Sequence, residues 1–106
     1  MTNARIILTT VGDKETEEKL AHELVERRLA ACVSILGPIR SVYRWREKIE
    51  NEQEFLLLIK TTAEKFLAVR DAIRELHSYK LPECISINVE DGSAEYLQWI
   101  ADSLQG

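Results

Sequence analysis

Five consecutive apolar residues, Phe55-Leu56-Leu57-Leu58-Ile59, sit in the middle of a segment that reads as a β-strand. Neighbouring side chains on a strand point to opposite faces, so a run without a polar residue needs cover on both. A chain of 106 residues has room for one domain, residues 1–106, and one hydrophobic core. One face of the strand takes that core. The other calls for a different cover, and an open apolar patch of that size marks association. Self-assembly is the simplest answer.

The flanking segments give the architecture. Arg5 to Val11 is rich in β-branched residues and ends at Gly12-Asp13, where Asp13 can cap a helix over 13–30 carrying Leu20, Ala21, Leu24, Val25 and Leu29 as an apolar stripe. Residues 31–49 read as one long strand, bent at Gly37-Pro38, and the polar stretch 47–54 turns it back into the Phe55–Ile59 strand. Thr61 and Glu64 fit a capping box for a second helix over 62–77, with Phe66, Val69, Ile73 and Leu76 as its stripe. In the next strand Ile85, Ile87 and Val89 alternate with Cys84, Ser86 and Asn88. The first set is expected to face the core and the second to face away, which makes Cys84 a buried interface thiol. Ser93 caps a closing helix with Tyr96, Leu97, Ile100 and Leu104.

The order is β-α-β-β-α-β plus a C-terminal helix: an α+β fold, a ferredoxin-like antiparallel sheet with both main helices on one face. The β2–β3 hairpin outruns the sheet, leaving edges that a second copy can pair.

Composition narrows the function. A net charge of −4 opposes binding to nucleic acid or an anionic membrane, both polyanions. No apolar run reaches the roughly 20 residues that cross a bilayer, and the N-terminal apolar stretch is too short for a secretory signal, so a cytoplasmic protein is expected. Cys32 and Cys84 lack C-x-x-C spacing and suit a reducing compartment as thiols. No nucleophile has a partner base and no glycine-rich loop can cradle phosphate, so an enzyme is not indicated. A ferredoxin-like RNA binder would show aromatics in a basic surround, not Phe-Leu-Leu-Leu-Ile in an acidic chain.

The blocks "LAACVSI", "SVYRW", "LLLIKTT", "LHSYKLPE" and "YLQWI" fall in an order and spacing that resemble the divalent-cation tolerance proteins of the CutA family. The resemblance implies a tight homotrimer of ferredoxin-like subunits, related in shape to the PII signalling trimers and associated with tolerance of copper and other divalent metals. It also identifies His77 with the family's histidine before a Pro-Tyr pair, although Ser78 replaces the proline. Cys32 matches its "AACV" cysteine. Thr9 and Leu76 stand where some members carry a cysteine and a second histidine.

Copper favours imidazole and thiolate, which leaves His77 and Cys32 as metal candidates, with weak binding expected. For His77 the competing role is a helix-end residue bound to carbonyls; for Cys32 it is packing. His22 between Glu18 and Glu26 reads as a solvated helix face. Tyr43, Arg44, Trp45, Lys60, Tyr79 and Glu83 mix aromatic, cationic and acidic chemistry, and they furnish either a small-ligand cleft between subunits, as in a PII-like sensor, or the subunit interface itself.

Overall fold

Alternating burial along residues 4–11 builds the first strand, β1 (Ala4–Val11), in the computed structural model, which describes residues 2–106. Ile7, Thr9 and Val11 are fully buried on one face, while Ile6, Leu8 and Thr10 are half-buried on the other. Asp13 closes the following turn by accepting the Thr16 amide N–H at 2.7 Å, which also holds its carboxyl below the usual range, and α1 (Lys14–Glu26) follows. The remaining elements are β2 (Cys32–Trp45), β3 (Lys48–Thr62), α2 (Phe66–Leu76) after a short 3₁₀ turn, β4 (Ile85–Asn88) and α3 (Ala94–Ser103).

All pairings are antiparallel, in the order β2-β3-β1-β4. Leu20 and Leu24 of α1 and Val69, Ala72 and Ile73 of α2 pack on Ile7, Val11, Leu57 and Ile59, so both main helices share one face. On the opposite face α3 buries Ile100 and Leu104 against Ala4. Its cover is local. The remaining rows of that face run Leu36–Leu56–Thr10, Ser34–Leu58–Leu8–Ile85 and Cys32–Lys60–Ile6–Ile87, and they carry seven Leu or Ile side chains. Among these Leu56 and Leu58 are half-buried and Leu36, Ile85 and Ile87 are exposed. The two-faced apolar strand is thus covered on the side of Leu57 and Ile59 and largely open on the side of Leu56 and Leu58.

Beyond the Val11–Phe55 pair, β3 continues to Lys48 with only β2 beside it, and this projecting hairpin gives the molecule its 44 Å long axis. The register shifts between Leu36 and Ile39, at Gly37-Pro38, as expected of a bend there. A Cβ on Gly37 would run into the Phe55 ring, which accounts for glycine at the bulge.

Four local expectations are corrected. Ile85 and Ile87 pair with Leu8 and Ile6 and so lie on the open face, whereas Cys84 packs against the helix-side core, where burial pushes its thiol pKa up. The alternation was real; period two alone does not say which face is which. Thr61 does not cap α2, because β3 extends to Thr62 and the Thr61 hydroxyl instead donates to the Leu29 carbonyl at 2.7 Å. Glu64 accepts from the Asn3 amide. Val25, counted in the α1 stripe, is 44% exposed at the helix margin.

Candidate functional site

Where the hairpin leaves the sheet, its inner strand face is built by period-two alternation. Glu50, Glu52 and Glu54 line one side of β3, and the register sets Tyr43 opposite Glu50, Ser41 opposite Glu52 and Ile39 opposite Glu54. The segment after α2 folds back toward them and closes a cleft of about 740 Å³. Tyr43 and Trp45 form part of one wall, Glu52 and Glu54 another, and Tyr79, Lys80, Leu81 and Glu83 the far side, with Thr10 beside them.

Glu54 anchors this arrangement. Only 5% of it is exposed, and it accepts the Tyr79 hydroxyl proton at 2.8 Å. Tyr79 reaches it because residue 12 is glycine: a Cβ there would lie 2.6 Å from the Tyr79 hydroxyl oxygen. Burial first, then the hydrogen bond to Glu54, raises the Tyr79 pKa strongly. Burial followed by the charge of Glu54 raises the Glu83 carboxyl. Tyr43 is shifted upward as well, by burial and then by Glu52, Glu50 and Glu54. Tyr43 on β2 and Tyr79 and Glu83 on the segment after α2 are thus all shifted upward, first by burial and then by neighbouring carboxylates.

His77 caps the C-terminal end of α2 and binds that segment to β1. Its Nε2 lies 2.7 Å from the Thr10 carbonyl oxygen, which can only accept, so Nε2 carries the proton. Its Nδ1 accepts the Tyr79 amide N–H at 3.1 Å, and the two rings lie 4.6 Å apart. Both nitrogens are thus engaged by backbone. Cys32 is half-buried beside the Ser34 hydroxyl at 3.8 Å, in the row of Lys60 and Ile6. Ile6 and Thr10 are four residues apart on β1, about 13 Å at the strand rise, so one chain does not bring Cys32 and His77 together. Among the described residues no three His, Cys, Asp or Glu side chains converge as a metal site. The donor set within one subunit does not fit a closed copper centre.

Of the six residues singled out for a cleft, Tyr43, Trp45, Tyr79 and Glu83 line it. Arg44 pairs with Ile49 on the other hairpin face, and Lys60 lies at the far end of the sheet, its ammonium 5.9 Å from the Tyr96 ring centre. Sequence reasoning missed Glu52, Glu54 and Gly12. The spacing Glu50-x-Glu52-x-Glu54 is the signal that points to the first two, since period two puts all three on one strand face.

The profile of the family described as CutA1 divalent ion tolerance protein matches residues 5–103. This chain belongs to the CutA1 family. The "Divalent-cation tolerance protein CutA" of Thermus thermophilus is 39% identical, over 92% of this chain and 95% of that protein. The crystal structure of CutA from Xylella fastidiosa superposes with a TM-score of 0.96 at 41% identity, covering 98% of this chain and all of that one. A structure from Archaeoglobus fulgidus, described as the periplasmic divalent cation tolerance protein CutA, gives a TM-score of 0.93 at 40% identity, over 96% and 99% of the two chains. The ferredoxin-like CutA1 architecture expected from the sequence is the one observed. Among the described residues, no helix is long and apolar enough to cross a membrane.

Proposed function

We propose that this CutA1 chain is one domain that acts as a homotrimer in the cellular response to divalent metal ions, in the cytoplasm and without enzymatic activity. Membership of the divalent ion tolerance family carries the functional half. The carrying observation for assembly is the open sheet face, where Leu36, Leu56, Leu58, Leu8, Ile6, Ile85 and Ile87 form a contiguous apolar surface that water disfavours. A second chain set against this face removes that surface from water, and the free edges of the hairpin supply backbone pairing.

Copper(II) binds weakly in this reading, with ligands drawn from more than one subunit, because each chain offers few soft donors. His77 joins such a site only by giving up its contact to Thr10 or to Tyr79. Light scattering and calorimetric titration test both halves together. The expected result is a trimer that binds copper more tightly than magnesium, with affinity falling as pH drops because protons compete with the metal for its ligands, and falling in His77→Ala. A stable wild-type monomer overturns the assembly. Tight copper binding untouched by His77→Ala removes that residue from the metal site.

A second reading, a PII-like sensor for a small ligand, is favoured by the cleft, which combines a buried carboxylate, three aromatic rings and an opening to solvent in one place.

A further inference from the structure

The cleft between the hairpin and the segment after α2 has a chemistry that discriminates between ligand classes. We infer that it is a binding site for an organic cation, an ammonium or guanidinium, held by the carboxylates of Glu54 and Glu52 and by the faces of Trp45 and Tyr43. This deepens the small-ligand reading and rests on it.

Three observations carry the assignment. First, Glu54 is a carboxylate almost wholly withdrawn from water with a single hydroxyl, that of Tyr79, recorded as its donor at 2.8 Å. A buried anion is costly unless a charge or strong donor answers it, and a ligand cation entering the cleft does so. Second, the Trp45 face already accepts a cation, since the Arg46 guanidinium lies 5.7 Å from its ring centre. The chain's own side chain is a stand-in for the ligand head group proposed here. Third, the other possible occupants fit poorly. An anion would meet three carboxylates, Glu52, Glu54 and Glu83, against the two cations of the lining, Arg46 and Lys80. A bare metal ion needs converging donors, and among the described residues no such trio exists. A diffuse organic cation needs only carboxylates at one end and aromatic faces along its body, and the cleft supplies both, beside Lys80 and Arg46. The upward shifts of Tyr43 and Glu83 come first from burial and then from neighbouring carboxylates, and the second cause agrees with a site that attracts positive charge.

Choline and agmatine serve as cationic probes and citrate as the anionic one, titrated into the assembled wild-type protein by calorimetry and by tryptophan fluorescence. Saturable binding of at least one cation and none of citrate is expected. Glu54→Gln and Trp45→Leu should each weaken the cation about tenfold, equivalent to about 1.4 kcal/mol. Trp45 is 41% exposed on the hairpin, so its substitution tests the site even where Glu54→Gln disturbs folding. Arg46→Asn keeps a residue that tolerates the left-handed backbone at this position, φ 48°, and removes the resident guanidinium. It should tighten cation binding, an outcome that a merely structural role for Arg46 does not give. Citrate binding with no cation binding overturns the inference and leaves a ligand cleft standing. No saturation by any probe up to about 10 mM overturns both. Cation affinity unchanged in both Glu54→Gln and Trp45→Leu moves the site elsewhere and overturns the assignment. Copper binding is scored separately, so its loss or retention does not bear on the cleft.

Discussion

The Tyr79 hydroxyl donates to the Glu54 carboxylate at 2.8 Å and ties the segment after α2 to the base of the projecting hairpin. The bond crosses from one side of the cleft to the other, and the carboxylate it serves is only 5% exposed. Tyr79→Phe keeps the ring against His77 and removes the donor. A buried carboxylate that loses a partner costs about 1–3 kcal/mol, so a drop in thermal midpoint of several degrees is expected by calorimetry. An unchanged midpoint would mean that water replaces the hydroxyl at no cost.

Gly12 sets the position of that hydroxyl by leaving room for it. In Gly12→Ala the new methyl meets the Tyr79 oxygen, and since that oxygen is the far end of a side chain, it swings off Glu54 rather than shifting the backbone. The two substitutions therefore act on one contact. Their effects should fall short of additive: Gly12→Ala destabilises wild type by more than it destabilises Tyr79→Phe. Strict additivity in the double-mutant cycle would separate Gly12 from the Glu54 contact.

The two sides of the apolar strand make opposite predictions. Leu57 is fully buried beneath α1 and α2, so Leu57→Asp should unfold the subunit, with loss of the far-ultraviolet helical signal. Leu56 and Leu58 point to the open face and are half-buried in the single chain. Leu56→Asp or Leu58→Asp should leave secondary structure intact and lower the oligomeric mass measured by light scattering. Full-size oligomer with aspartate at both positions would place the subunit contact elsewhere.

Strand and helix identities were legible because period two and the helical stripe survive in the sequence: Asp13 and Ser93 cap the helices assigned to them, and the Gly37-Pro38 bend is where β2 shifts register. What period two does not carry is absolute facing. Ile85 and Ile87 looked like core and lie on the open face, because β1 sets their side through the pairs Leu8–Ile85 and Ile6–Ile87. The cleft was half legible. Its aromatics and Glu83 stand in recognisable blocks, whereas Glu54 becomes a site residue only because Tyr79, 25 positions away, folds onto it. Arg44 and Lys60 were grouped with the cleft by residue chemistry, and strand alternation and register set them apart.

Burial, and then the nearby charge of Glu54, hold the Glu83 carboxyl above its ordinary value of 4.5. The folded protein keeps a proton there that the unfolded chain has already released. Stability should therefore fall as pH rises from about the ordinary glutamate value through the raised one, with the unfavourable contribution complete above it. Glu83→Gln removes that contribution and should flatten this part of the stability–pH profile in denaturant melts. A wild-type profile that instead rises by the same amount through this window would contradict the raised carboxyl.

Two threonines on the helix-facing side of the sheet are equally inaccessible and differently partnered, which makes them a matched pair. Thr61 is fully buried and donates to the Leu29 carbonyl at 2.7 Å. Thr9 is as fully buried, and its Oγ1 has no hydrogen-bond partner. A buried hydroxyl without a partner has lost its water and gained nothing, whereas a bonded one recovers most of that cost. Valine keeps the branched shape and β-propensity of threonine at both sites. Thr9→Val should raise stability by about 1 kcal/mol, or about 4–8 °C in a domain of this size, and Thr61→Val should lower it by a similar amount because the Leu29 carbonyl is left unanswered. Chemical denaturation with an unchanged denaturant slope measures both. If Thr9→Val destabilises as much as Thr61→Val, the Thr9 hydroxyl is serving a partner, and position 9 becomes the next place to look for a ligand.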